Sequence, residues 1–241
     1  MQLKNRGNNV LLATAVAVCV MTFGAQSWAQ TRTRPAAVTP AAAGAIGPDT
    51  LASASEVDAS TPQRLIESAA NAMSREIEAH RAEYRKDPTK VYALVDRILL
   101  PHFDVDYAGR LVLGKYWRTA TVTQRQRFIE AFYRSLVTNY GDAVVEFKGE
   151  RLKMLPTSVE PGAQTATVRS EVKRSSGQKT PVSYSLRQTP QGWKAWDVVI
   201  EGISYVKSFR EDFGAEIDQK GIEAVIRRLE AQIGGAPARK T

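Results

Sequence analysis

The chain has 241 residues, a formal net charge of +8 and a single cysteine, Cys19. That cysteine falls inside an N-terminal export signal, so the mature protein has neither disulfide nor thiolate chemistry. The basic excess favours anionic surfaces such as phospholipid head groups or an acidic partner, or else serves solubility alone; export argues against nucleic acid.

Residues 1–29 read as an address. Lys4 and Arg6 form a positive start, Val10 to Phe23 an apolar core, and Ser27-Trp28-Ala29 a small-x-small cleavage site. The apolar run is short for a membrane span, and an uncleaved anchor is the alternative. Lipidation at Cys19 is rejected because Val18 precedes it and the apolar core continues beyond. Cleavage leaves 241 − 29 = 212 residues and lowers the formal charge to +6, since Lys4 and Arg6 leave without any acid. Export without disulfides suits the periplasm. Residues 30–60 hold five Pro or Gly among many Ala, Ser and Thr, the composition of a flexible linker. Residues 61–233 are long enough for a single domain with a substantial core, and residues 234–241 read as a flexible tail.

The folded part opens with Thr61-Pro62, an N-cap and a proline at the first helical position. Leu65, Ile66, Ala69, Ala70, Met73 and Ile77 then hold one helix face. Asp87-Pro88 repeats the start signal ahead of Val91, Leu94, Val95, Ile98 and Leu99. Asp104 caps a short third helix carrying Tyr107, Ala108, Leu111 and Val112, which ends at Gly114. Thr121 and Gln124 form a capping box for a long fourth helix with a stripe of Phe128, Phe132, Leu136, Tyr140 and Val144.

Beyond Gly149 the pattern changes to strands over 152–155, 165–174, 182–188 and 193–200, about four in an antiparallel meander. Trp196, Val198 and Ile200 are expected on one face. After Glu201-Gly202 the period becomes helical through Ile203, Val206, Phe209 or Arg210, and Phe213, so this corner joins a sheet face to a helix face and could border an apolar pocket. A last helix starts near Gly221 with Ile222, Val225, Ile226, Leu229 and Ile233. Helices, then strands, then helices indicate an α+β domain.

Several catalytic patterns fail. Gly109 to Lys115 matches most of a phosphate-binding loop, but Tyr116 stands where magnesium needs Ser or Thr, and no strand precedes it. His80 and His102 belong to no metal spacing, and there is no G-x-S-x-G elbow. The basic residues Arg125, Arg127, Arg134, Lys148, Lys153, Arg169, Lys173 and Arg174 are dispersed among acids and read as a solvated surface. Asp197 sits inside an apolar strand and needs a partner; a salt bridge with Arg187 or exposure at an edge would supply one.

The segments LLPHFDVDYAGRLVLGKYWRTATVTQRQRFIEAFYRSLVTNYGDAV, PVSYSLR, GWKAWDVVIEGISYVKSFREDF and KGIEAVIRRL resemble, in order and spacing, the MlaC (toluene tolerance) family of periplasmic phospholipid carriers. The resemblance covers nearly all of the mature chain and departs only in a longer N-terminal linker. It implies a curved, mostly antiparallel sheet wrapped by helices in a nuclear-transport-factor-like cone, with acyl chains inside. It also implies a monomeric non-enzyme without cofactor, whose cargo is a phospholipid passed between an outer-membrane lipoprotein complex and an inner-membrane ABC transporter complex. By the same resemblance Tyr140, Val182 and Ile203 match pocket positions, and periodicity adds Leu111, Leu136, Tyr184, Trp196, Val198, Ile200 and Val206. Two alternatives stay open: a carrier of hopanoid or another polycyclic lipid, and an acid/base enzyme in which Tyr140, Asp142, Tyr184 or Asp197 converge.

Overall fold

Thr61 accepts a hydrogen bond from the Arg64 amide at 3.2 Å, and with Pro62 behind it starts α1 over Pro62–Lys86. A computed structural model describes residues 57–146, 151–174 and 176–233. The signal segment, most of the linker, the C-terminal tail and Lys148 lie outside the described residues. Packing begins before residue 61, because Val57 and Ala59 already rest against the apolar interior and Asp58 pairs with Arg64 at 2.9 Å. Exposed His80 leaves helical geometry at φ −126°, ψ 19° and kinks α1.

Helix α2 covers Pro88–Ile98, capped by Asp87, whose carboxylate accepts from the Thr89 amide. A short 3-10 turn at Leu100–His102 follows, and Asp104 then caps α3, Val105–Leu113, by accepting from the Tyr107 amide at 3.1 Å. Gly114 ends α3 at φ 52°. The capping box forms in both directions ahead of α4, Val122–Val145: Gln124 N–H donates to Thr121 Oγ1 at 3.2 Å and Thr121 N–H to Gln124 Oε1 at 3.1 Å.

The expected α4 stripe at four-residue spacing does not stay on one side. Each such step turns about 400° around a helix, so twelve residues drift by roughly a third of a turn. Phe128 and Phe132 accordingly pack with α3 and the C-terminal helices, whereas Tyr133, Val137 and Val144 pack with α1 and α2. The helix is buried on two sides as a result.

Five strands form an open antiparallel meander in sequence order: β1 Leu152–Met154, β2 Thr165–Lys173, β3 Lys179–Thr189, β4 Gly192–Ile200 and β5 Ile203–Ser204. The fifth was not expected, since two residues are too few for any periodicity to register. Helices α5, Tyr205–Lys220, and α6, Ile222–Gln232, close the chain around Gly221. This is the expected α+β class, with six helices around one sheet.

Half of the basic residues read as solvated surface are committed within the fold. Arg134 is only 3% exposed and bonds Asp96 at 3.0 Å and Glu130 at 3.1 Å, while Tyr133 Oη donates to Asp96 at 2.7 Å. Arg127 ties α4 to α6 through Glu223 at 2.8 Å and Glu230 at 2.7 Å. Arg125 stacks on Trp117, and Arg174 reaches Glu201 at 3.2 Å. Apart from Glu130, one turn before Arg134 on α4, isolated sequence positions could not reveal these pairs, because the acids lie far along the chain.

Candidate functional site

The β4–β5–α5 corner is built on backbone that turns left-handed twice. Glu201 and Gly202 have φ of 51° and 84°, the pair of positive angles of a two-residue type I′ hairpin. The turn folds Ile203 back beside Ile200, and Ser204 then caps α5 by accepting from the Lys207 amide at 3.2 Å. Ile203 therefore belongs to an edge strand rather than to the helix face, and is 45% exposed.

Asp197 explains the corner, and it does so without Arg187. The carboxylate is 4% exposed; it accepts from Ser204 Oγ at 2.7 Å and from the Val206 backbone N–H at 3.0 Å. It thus satisfies a donor in the first turn of α5 and fastens that helix to β4, where the helix dipole favours a negative charge. Arg187 instead bonds Asp104 at 2.6 Å and lies over the Tyr107 ring. The salt bridge expected from the sequence is replaced by a cap because the chain reverses at Glu201-Gly202 and brings the Ser204 hydroxyl and the Val206 amide back to the carboxylate.

The inner face of the sheet is apolar. Val182, Val198 and Ile200 pack with Val172 and Tyr205, and Tyr184 links them to a second group of Leu65, Val168, Leu186 and Ala195. A bulge separates the pairs Leu186–Ala195 and Ser185–Asp197, leaving Trp196 as the extra residue of β4. Trp196 consequently does not join Val198 and Ile200. It meets Tyr107 edge-on at 5.5 Å and packs with the helical group, which also takes Leu111, Leu136 and Val206.

The ten candidate residues are thus distributed as follows: Val182, Tyr184, Val198 and Ile200 share the sheet interior, and Leu111, Leu136, Trp196 and Val206 lie in the helical group. Tyr140 is half-buried on α4, and Ile203 stands at the edge. Val168, Val172, Tyr205 and Phe209 also belong to this interior. The alternation of Val168, Ser170 and Val172 in β2 was the available signal for the first two. Phe209 bridges the sheet and the helical group, lying 6.2 Å from Tyr205 and 4.9 Å from Phe132 between ring centres.

Burial pushes the Tyr184 hydroxyl above its ordinary range, with Ser170 drawing it part of the way back, and burial alone pushes Tyr140 up. Both phenols stay protonated and neutral at physiological pH. A separate open cleft of about 660 Å³ lies between the start of α1, the 157–163 loop and Trp193, and none of the ten residues lines it. Among the described residues no helix is long and apolar enough to cross a membrane.

The MlaC protein family model matches residues 67–231. The toluene tolerance protein Ttg2D of Pseudomonas putida is 31% identical over 166 residues, covering 68% of this chain and 77% of that protein. The intermembrane phospholipid transport system binding protein MlaC of Haemophilus influenzae is 22% identical over 173 residues, 70% of this chain and 81% of that protein. Among solved structures, the phospholipid-binding protein of Ralstonia solanacearum in complex with a phospholipid superposes with a TM-score of 0.66 at 22% identity. The superposition covers 71% of this chain and 96% of the other, a likeness in fold.

Proposed function

The chain belongs to the MlaC family, and we propose that it is a periplasmic phospholipid carrier rather than an enzyme. The observation that carries this reading is the division of the apolar interior. A domain of this size ordinarily has one contiguous core. Here the buried apolar residues form four clusters, and the two on the sheet meet the two among the helices through partly buried Val57, Phe103 and Phe209. Acyl chains inserted between those faces would meet Val172, Val182, Tyr184, Val198 and Ile200 on one side and Val206, Phe209 and Leu136 on the other. Tyr140 and Ile203 would lie nearer the mouth.

Two acyl chains with about thirty methylenes would cost roughly 24 kcal/mol to expose to water, at about 0.8 kcal/mol per methylene. An apolar interior removes most of that barrier, and exchange with a bilayer is then nearly balanced, hydrocarbon for hydrocarbon. Direction must come from partners, for which an outer-membrane lipoprotein complex and an inner-membrane ABC transporter complex are proposed. Asp197, one of the groups an acid/base enzyme would need, has both carboxylate oxygens engaged by Ser204 and Val206, which supports a structural role instead of a base's.

The test is extraction of the purified protein and mass spectrometry of what it holds. Wild-type protein is expected to yield phospholipid, and Tyr140→Glu with Ile203→Glu to yield severalfold less. Recovery of a polycyclic lipid, or unchanged phospholipid in the double variant, would overturn the cargo or the assigned mouth respectively.

A further inference from the structure

The outer face of the sheet carries a charge pattern that the carrier reading does not use. Directly opposed residues of antiparallel strands point to the same side, so the register defines this face. Lys153 stands opposite Glu171, Arg169 opposite Ser183, Lys173 opposite Lys179, and Arg187 opposite both Thr165 and Lys194. Six cations share it with two carboxylates, Glu171 and Asp197. Asp197 is buried in its cap, Lys179 bridges Glu171 at 3.2 Å, and Arg187 is taken by Asp104. Lys153, Arg169, Lys173 and Lys194 have no carboxylate within ion-pairing distance among the described residues, and the first three are exposed.

Lys173 directly opposite Lys179 is a like-charge pair that costs stability in an isolated sheet and is relieved when anions cover it. Ser and Thr lie between the cations together with Pro181 and Val199, and no strand residue of the face is aromatic; Tyr107 of α3 covers only Arg187 at one end. Protein interfaces centre on aromatic anchors and are poor in Lys. A Lys-rich, hydroxyl-lined surface whose strands present no aromatic anchor complements an array of phosphates.

We propose that the outer face of the sheet, through Lys153, Arg169 and Lys173, docks the protein onto an anionic phospholipid bilayer. The contact is electrostatic and shallow, since the only apolar strand residues on the face are the small Pro181 and Val199. It does not rest on the cargo reading, because cargo would lie against the opposite face. Each cation near such a surface contributes about a fivefold gain in partitioning, so three contribute on the order of a hundredfold.

The experiment is co-sedimentation of the purified protein with vesicles of phosphatidylcholine containing phosphatidylglycerol, compared with phosphatidylcholine alone, at low and high salt. Wild type is expected to bind the anionic vesicles and to release at high salt. The neutral K153Q/R169Q/K173Q variant, which keeps the strands free of new charge, is expected to lose binding by about two orders of magnitude. The K153E/R169E/K173E variant, with melting temperature checked, should lose still more. Equal binding to neutral vesicles, salt-independent binding, or unchanged binding by the triple variants would overturn the proposal. So would absence of vesicle binding with retained capture by an acidic protein surface, which would assign the face to a protein partner.

Discussion

Replacing Asp197 by alanine removes the group that holds the β4–β5–α5 corner together. Two bonds disappear: the one from Ser204 Oγ at 2.7 Å and the one from Val206 N–H at 3.0 Å, in a site that is 4% exposed. A hydrogen bond to a charged group contributes about 1.5–3 kcal/mol, and a buried donor left alone bears its desolvation cost as well. Some of this is recovered, because Ser204 can turn its hydroxyl elsewhere and continue to cap Lys207. A net loss of about 3 kcal/mol is therefore expected, a magnitude otherwise typical of an emptied core position. For a domain of this length that corresponds to a fall of about 6–12 °C in Tm. Asp197→Asn keeps one acceptor for Val206 and is expected to cost about 1 kcal/mol. Urea and thermal unfolding followed by circular dichroism measure both, and hydrogen exchange at the Val206 amide reports the local opening. An alanine variant melting within about 2 °C of wild type would refute the assignment of Asp197 as the strap between sheet and helix.

Gly109→Ala is expected to cost about 1–3 kcal/mol, because its new Cβ would lie 2.6 Å from Ile129 Cγ1 where α3 crosses α4. Adding Ile129→Ala should recover part of that loss in a double-mutant cycle of denaturation midpoints, and strict additivity would count against the clash. Glu216→Gln tests the acid limb of stability. Arg228 holds the Glu216 carboxyl below its usual range through bonds of 2.6 and 2.8 Å. The sign follows from a depressed folded-state pKa: the contribution is complete above the unfolded value of about 4.3 and disappears as pH falls through the lower folded value. Because both partners are partly solvated, about 0.5 kcal/mol is expected at neutral pH, with a shallower decline of stability below about pH 4.5 in the variant. Urea midpoints measured across that range decide it.

Much of the secondary structure was legible because its signals are local. Thr61-Pro62, Asp87-Pro88, Asp104 and the Thr121–Gln124 box each satisfy an amide within three residues, and each cap forms as read. The six helices and the four longer strands follow from period alone. What periodicity misjudged was geometry that depends on a partner: the bulge that gives Trp196 different neighbours from Val198, and the drift that divides α4 between two clusters. Of the candidate site, Val182, Tyr184, Val198 and Ile200 were recoverable as a strand face, whereas Tyr205 and Phe209 became part of the same interior only once α5 was laid against the sheet.

The sequence by itself determined the α+β class, the helix caps, the strand alternation and the family, all of which depend on residues close together in the chain or on order along it. Only the tertiary structure decided the partners of Asp197, Arg187 and Arg134, the edge position of Ile203, and the gathering of Lys153, Arg169 and Lys173 on one sheet face. Such partners depend on strand register and helix docking across tens of residues, and one residue of slip or bulge reassigns them. Asp197 shows the distinction most directly: its burial in an apolar strand announced a need for a partner, and the turn at Glu201-Gly202 supplied the amide.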